Sequence, residues 1–219
     1  MKIIDGIKQK GTGIDIPGTS RNDLPEFFIQ MGFKTGVEVG VYKAEFTEKF
    51  AQAGLNIFGI DPWRAYGHYP TNVFSSAGKR FKTLQDRQDF LYKHSQGVMA
   101  PYQNAALIRR TSIEALREFV DGSLDFVYVD GNHAFKYVVE DIWEWSKKIK
   151  KGGVISGHDY HIGTPPPTMD LDCGHVKYAV EGYTQAFSLT NWYLIGDQDK
   201  PKRASMGKNW RSWFWFKTW

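Results

Sequence analysis

The stretch from Leu124 to Tyr160, LDFVYVDGNHAFKYVVEDIWEWSKKIKKGGVISGHDY, constrains what this chain can fold into more than any other. Leu124 to Val129 is a short apolar run rich in aromatic and β-branched residues, and it stops abruptly at Asp130, Gly131, Asn132 and His133. A strand buried on both faces delivers polar groups to one sheet edge in this way. Val138, Ile142, Trp145 and Ile149, with Val139 and Trp143 alongside, then recur at helical spacing and form a stripe that faces a core. Lys147 to Lys151 suits the negative end of that helix, and Gly152 supplies a stop. A second apolar run, Val154 to Ser156, ends in Gly157, His158, Asp159 and Tyr160. Two parallel strands joined by one helix point their C-terminal ends the same way. Asp130, His133, His158 and Asp159 should therefore gather at one edge, where open α/β sheets bind ligands.

The remaining elements can be placed around this unit. Residues 1–19 show no clear period, carry a turn at Pro17-Gly18, and are expected to form an arm or cap ahead of a domain spanning 20–219. Ser20 to Met31 has a polar start and then Leu24, Phe27, Phe28 and Met31 at helical spacing. A brief strand from Thr35 leads through Glu38 and Gly40 into a helix over Ala44 to Ala53. Strand, glycine turn, helix suits a phosphate or nucleoside, because a missing side chain lets a ligand approach the backbone at a helix N-terminus; a tight turn with no ligand is the competing account. Asn56 to Ile60 reads as the next strand. It ends in Asp61, about 20 residues beyond Gly40, a spacing that suits a carboxylate accepting from ribose hydroxyls, against a plain helix cap or surface turn.

Trp63, Tyr66, His68, Tyr69 and Pro70 lie in a long aromatic stretch over about 62–78, which reads either as a lid or as an insertion packing its own rings. A helix is expected from Ala77 to Lys93, a strand at Ala106 to Ile108, and a helix from Ile113 to Val120 capped by Thr111-Ser112. The loop His161 to Gly174 contains Pro165-Pro166-Pro167 and is expected to wall the site. Val176 to Phe187 reads as a helix, and Asn191 to Ile195 with Trp213 to Phe216 as a long hairpin at a buried edge.

Length and composition set outer limits. No linker or charge block divides the 219 residues, so one domain with a sizeable core is expected. The net charge of +4 and pI near 9.0 suit an anionic ligand, but the charges are interspersed and do not single out nucleic acid. Cys173 is the only cysteine, which excludes an internal disulfide and a cysteine-rich zinc site. With no apolar signal core at the N-terminus and no run of about 18 apolar residues, a cytoplasmic protein away from the membrane is expected. The eight tryptophans could line a core or the interface of a homo-oligomer.

Taken together, Val37-Glu-Val-Gly-Val-Tyr-Lys-Ala, Gly59-Ile-Asp-Pro-Trp, Asp125-Phe-Val-Tyr-Val-Asp-Gly-Asn-His, Asp141, Trp145, Gly152-Gly and Gly157-His-Asp-Tyr resemble a class I S-adenosylmethionine-dependent methyltransferase. The likeness is to the small methyltransferase-domain group that includes macrolide-sugar and related O-methyltransferases. That resemblance implies an α/β, Rossmann-like fold: a seven-stranded, mostly parallel sheet with an antiparallel last strand and helices on both faces. It implies cofactor contacts from Glu38 and Gly40 at the methionine part, Asp61 at the ribose, Thr111 and Ser112 near the adenine, and Asp130 at the same pocket. For Thr111 and Ser112, simple helix capping stands beside that role.

Metal-dependent relatives carry an acid where Asp130 stands and an acidic or amide pair where His158-Asp159 stands. A divalent cation such as Mg²⁺ on Asp130, His158 and Asp159 is one reading, a polar network the other, and the histidine favours a softer ion than Mg²⁺. His133, three residues after Asp130, matches a general base in some sugar O-methyltransferases. An alcohol attacks a sulfonium methyl well only as its proton is removed, and imidazole suits that task; helix capping is the alternative, and His158 is a reserve base. The implied acceptor is a small-molecule hydroxyl on a sugar, phenol or natural product. Two rivals remain: a nucleic-acid methyltransferase using the basic aromatic stretch Lys200 to Trp219, and a non-catalytic binding protein on the same fold. A nicotinamide enzyme is disfavoured, because Glu38 and Lys43 occupy glycine positions of the dinucleotide fingerprint.

Overall fold

A computed structural model of the chain describes residues 1–66, 75–76, 79–160, 175–196 and 211–219. Its main sheet contains β1 (Gly11–Ile16), β2 (Thr35–Val39), β3 (Asn56–Ile60), β4 (Ala105–Ile108), β5 (Leu124–Val129), β6 (Ile149–Tyr160), β7 (Asn191–Ile195) and β8 (Arg211–Phe216). The spatial order is β1-β7-β8-β6-β5-β2-β3-β4. Only β8 runs antiparallel, paired with β6 on one side and β7 on the other. The α/β, mostly parallel sheet with an antiparallel last strand is as expected, but it has eight strands where seven were expected. The extra one is β1, from the stretch read as an arm. It pairs in parallel with β7, Ile14 beside Tyr193 and Ile16 beside Ile195, and its signal is weak because glycines fill alternate early positions of GTGIDI.

The hairpin of β7 and β8 forms as read, but β8 is interior rather than at an edge. The alternation in SWFWF explains why. Trp213 and Trp215 point to one face and stack with centroids 5.0 Å apart, while Phe214 packs on the opposite face beside Phe27. A strand with large rings on both sides belongs inside a sheet covered on both faces. The helices supply that cover: after a short α1 (Ile3–Gly6), α2 (Leu24–Gln30) and α3 (Glu45–Gln52) bury Phe27, Phe28 and Phe50 in the cluster that holds Phe126 on one side. On the other side, α6 (Phe135–Lys148) and α7 (His175–Ala186) bury Val138, Ile142, Trp145, Val180 and Tyr183.

Several element ends differ from the sequence reading. The helix expected from Ala77 is α4 (Leu84–Met99), started by a reciprocal cap between Thr83 and Asp86; residues 67–74 and 77–78 lie outside the described part. The helix expected over Ile113 to Val120 is shorter: α5 (Ser112–Ala115) and one 3-10 turn, Leu116–Glu118. No described helix is long and apolar enough to cross a membrane.

Three strand ends are tied together at the C-terminal edge. Gly40 N–H donates to the Ile60 carbonyl at 2.8 Å, and Asp130 N–H donates to the Val39 carbonyl at 2.7 Å. Gly40 has φ +92°, and a Cβ there would sit 2.1 Å from the Asp130 carbonyl oxygen. Beneath this turn Glu38 is 2% exposed, accepts from the Thr47 hydroxyl, and is pushed up to a pKa of about 8 by burial.

Gly40→Ala adds both a forbidden backbone angle and a clash with main chain that cannot swing away. It should lower unfolding free energy by more than ~2 kcal/mol; a loss below ~0.5 kcal/mol in urea titration would show that the close approach is dispensable. For Glu38 the folded pKa is raised above the unfolded value, so its contribution is intact below about pH 4.5 and declines as pH climbs towards about 8. Glu38→Gln keeps an acceptor for Thr47 without the charge. Its melting temperature should exceed that of the parent at pH 8 by an amount worth more than ~1 kcal/mol, with the gap closing at pH 4.5; a gap independent of pH would contradict this.

Candidate active site

The edge formed by β2, β3, β4 and β5 opens into a cavity of about 650 Å³ lined by Gly40, Asp61, Thr111, Ser112 and Asp130, with Tyr42, Tyr66 and Tyr137 among its walls. That volume holds a drug-sized ligand. Five of the sequence-derived candidates thus share one space. Glu38 is not among the lining residues, because strand alternation turns its carboxyl onto α3 and Thr47.

Asp61 organises the turn that shapes this space. Its Oδ2 accepts from Val41 N–H at 3.1 Å and Tyr42 N–H at 3.0 Å, and its Oδ1 accepts from Trp63 N–H at 2.7 Å. Burial pushes the carboxyl pKa up, with those three backbone donors working against the rise. An ionised carboxylate offers about four acceptor positions, so one remains on a group that lines the cavity. The turn itself is tense: Tyr42, Ala44 and Trp63 all have positive φ, at 54°, 64° and 39°. Ala44 adopts the left-handed geometry that glycine favours, as N-cap of α3. Trp63, read as part of a long aromatic stretch that is either a lid or an insertion packing its own rings, is 1% exposed and donates its indole N–H to the Tyr42 carbonyl at 3.0 Å. Of the other loop aromatics, Tyr66 lines the cavity, while His68, Tyr69 and Pro70, like the proline loop 161–174, lie outside the described residues.

At the far side Thr111 does cap α5, accepting from Glu114 N–H at 3.3 Å. Ser112 donates to Asp141 on α6 and accepts from the Trp145 indole at 2.8 Å. Asp141, quoted for the family resemblance but given no role there, is buried at this wall. Burial lifts it to a pKa of about 7, against the Ser112 hydrogen bond, and it lines the cavity.

The ends of β5 and β6 bring the other candidates together. Asp159, held at φ +58°, receives two imidazoles: His133 Nε2 lies 2.7 Å from its Oδ2 and His158 Nδ1 lies 2.8 Å from its Oδ1. Burial disfavours the charge on Asp159, but the contacts from His133 and His158 outweigh it and hold the carboxyl well below the ordinary range. An ionised Asp159 assigns protons to His133 Nε2 and His158 Nδ1, leaving the lone pairs on His133 Nδ1 and His158 Nε2. His133 Nε2 is sealed from solvent although its side chain is 28% exposed.

Asp130 adjoins the same group. Its Oδ1 lies 3.7 Å from His158 Nδ1 and 3.8 Å from His133 Nε2, and its Oδ2 lies 3.2 Å from Arg21 Nη1. Arg21 was not singled out in the sequence; it comes from the 3-10 turn Arg21–Asp23 ahead of α2, with its guanidinium 5.1 Å over the Phe46 ring. Burial opposes its charge, while Tyr128 and Asp130 more than restore it. One ligand atom from each of Asp130, His133 and Asp159 falls within 4.8 Å of the others, which adds His133 to the residues considered for a metal beside Asp130, His158 and Asp159.

Comparison with known proteins bears on the fold and the family. A family described as "Methyltransferase domain" matches residues 34–160, more than half of the chain, including β2, Asp61, Asp130 and Asp159. A Streptomyces achromogenes O-methyltransferase of tomaymycin synthesis, solved with S-adenosylmethionine, covers 90% of this chain and 79% of its own at TM-score 0.58 and 12% identity. A Bacillus cereus O-methyltransferase with S-adenosylhomocysteine covers 90% and 80% at TM-score 0.56 and 12% identity. An rRNA methylase from Streptococcus thermophilus covers 93% and 100% at TM-score 0.57 and 12% identity. These identities speak to fold alone. A curated Sinorhizobium fredii protein, itself uncharacterised, is 36% identical over 56 residues, 26% of this chain and only 6% of that relative. With a family match running from the start of β2 to the end of β6, this chain belongs to the methyltransferase-domain family.

Proposed function

We propose that the chain is an S-adenosylmethionine-dependent O-methyltransferase acting on a small-molecule hydroxyl, with His133 as general base. The observation that supports this reading is the imidazole of His133, 2.7 Å from Asp159 and 3.8 Å from Asp130, the last of which lines the same cavity as Gly40 and Asp61 although His133 itself does not. S-adenosylmethionine supplies a methyl group on a positively charged sulfur, ready for displacement. In this reading Asp61 receives a ribose hydroxyl in its remaining acceptor position, Ser112 and Asp141 face the base, and Gly40 leaves room for the amino-acid portion. His133 Nδ1 takes the acceptor proton as the new O–CH₃ bond forms and the S–CH₃ bond breaks, and ionised Asp159 stabilises the imidazolium. Arg21 holds Asp130 in place, and His158, sharing Asp159, is the reserve base. Tyr42, Tyr66 and Tyr137 give the cavity flat walls that suit a ringed acceptor.

A second reading rests on the grouping of Asp130, His133 and Asp159. Two carboxylates and an imidazole suit a first-row divalent ion better than Mg²⁺. Such an ion would hold and acidify the acceptor hydroxyl. The two readings exclude each other at one atom: His133 Nε2 cannot both ligate an ion and carry the proton that binds Asp159.

Calorimetric titration with S-adenosylmethionine and S-adenosylhomocysteine tests the cofactor; absence of binding by both would leave a non-catalytic protein on this fold. Mass-spectrometric screening of alcohol, phenol and sugar acceptors, with an RNA arm, tests the substrate class, and methylation confined to RNA would overturn the small-molecule reading. With an acceptor in hand, His133→Ala should lower kcat by at least about 100-fold and leave S-adenosylhomocysteine affinity within about threefold; unchanged turnover would remove His133 from the base role. Activity that survives thorough chelation is expected of the metal-free reading, and its loss with recovery on adding Mn²⁺ would favour the second.

A further inference from the structure

Among the described residues, three partly or fully buried arginines each lie beside a carboxylate. Arg21 has Asp130, Arg109 has Asp89, and Arg211 has Asp15. Arg87 does not follow this pattern. It stands on the first turn of α4, is 8% exposed, and lines the main cavity. Its Nε has no hydrogen-bond partner, and among the described residues no carboxylate pairs with it. What it does have is Tyr42: Arg87 Nη2 lies 3.4 Å from the Tyr42 hydroxyl, and its guanidinium carbon lies 5.7 Å from the ring centroid. The ring steadies the group and neutralises nothing.

A guanidinium withdrawn from water without a counter-charge is costly, and proteins keep such groups chiefly where a ligand completes them. Arg64 lines the same cavity, and so do Asp61, Asp130, Glu140 and Asp141, but none of these four carboxylates forms an ion pair with Arg87. A ligand for this space would therefore carry an anionic group to be met by Arg87, whose planar fork matches carboxylate and phosphate oxygens.

We propose that Arg87, steadied by Tyr42, anchors an anion subsite in the cavity wall that takes a carboxylate or phosphate group of the bound cofactor or acceptor. The inference rests on the methyltransferase reading for the identity of those ligands. The cofactor carries one such group, the carboxylate of its amino-acid portion; an acceptor with an acid or phosphate substituent is the other source.

Calorimetry on the parent, Arg87→Gln and Arg87→Lys separates the sources. The probes are S-adenosylhomocysteine, 5′-methylthioadenosine, which lacks the amino-acid carboxylate, and inorganic phosphate added to both free and S-adenosylhomocysteine-saturated protein. If Arg87 meets the cofactor, Arg87→Gln weakens S-adenosylhomocysteine roughly 10- to 100-fold and leaves 5′-methylthioadenosine unchanged. If it meets the acceptor, both nucleosides bind the variant normally, and phosphate binding seen with the saturated parent is lost. Arg87→Lys, which keeps charge without the fork, should fall between and serves alone if Arg87→Gln does not fold. Equal binding of all three probes by parent and variants overturns the subsite. Failure of the parent to bind either nucleoside overturns the methyltransferase reading instead, and phosphate titration of the free protein still decides the role of Arg87.

Discussion

The close passage of two strand exits governs the rest of the structure. β2 and β5 run side by side in parallel, and where they leave the sheet the backbone of Gly40 comes so near the Asp130 carbonyl that no Cβ fits between. That approach fixes the floor of the cavity and the direction in which Asp130 leaves its strand. Asp61, one strand over, then binds the two amides that follow Gly40, so the turn is specified from both sides. Three features far apart in the chain, a glycine after β2, a carboxylate after β3 and a carbonyl after β5, thus depend on one another.

The opposite end of the sheet holds the register on which this depends. Asp125, at the start of β5, is 3% exposed and accepts from the backbone amides of Lys34 and Thr35 at 2.9 Å each, ahead of and at the start of β2. It also pairs with Lys150 at the start of β6. Burial acts against its charge, and these donors together hold its carboxyl below the ordinary range. A slip of one residue between β2 and β5 would reverse the faces of Val37 and Glu38 and part Gly40 from Asp130. Asp125 therefore works at a distance: it has no place in the cavity, yet it sets where the cavity's floor lies.

Much of this was legible in the sequence because it is local. The runs Leu124 to Val129 and Val154 to Ser156, with the helical stripe between them, announce two parallel strands and a crossover, and the polar tails Asp130 to His133 and His158-Asp159 meet at one edge in the structure. What the sequence left unclear is what depends on partners far along the chain. β1 carries few apolar residues and becomes a strand because β7 offers it an unpaired edge. Trp63 looks like a surface aromatic until the Tyr42 carbonyl claims its indole N–H. Arg21 and Arg87 are ordinary charged letters in helical or turn segments, and Asp141 belongs to the family resemblance without a role; only folding decides that the first has a carboxylate partner, that the second has none among the described residues, and that the third is buried against Ser112.

Asp159 shows how the site reconciles these charges. Two carboxylates at one strand edge would repel and raise each other's pKa if left alone. Here they are separated by purpose: Asp130 is directed to the guanidinium of Arg21, while Asp159 is enclosed by two imidazoles. The left-handed backbone at Asp159, φ +58°, is a conformation that aspartate tolerates better than most residues, and it falls where β6 ends. Strain of this kind persists only where surrounding contacts over-determine it. The two histidines supply such contacts, and in return the carboxylate fixes which nitrogen of each ring bears a proton. Replacing either ring would therefore alter the other through their shared partner, so His133 and His158 act as one unit whose effects on the site should not be expected to add.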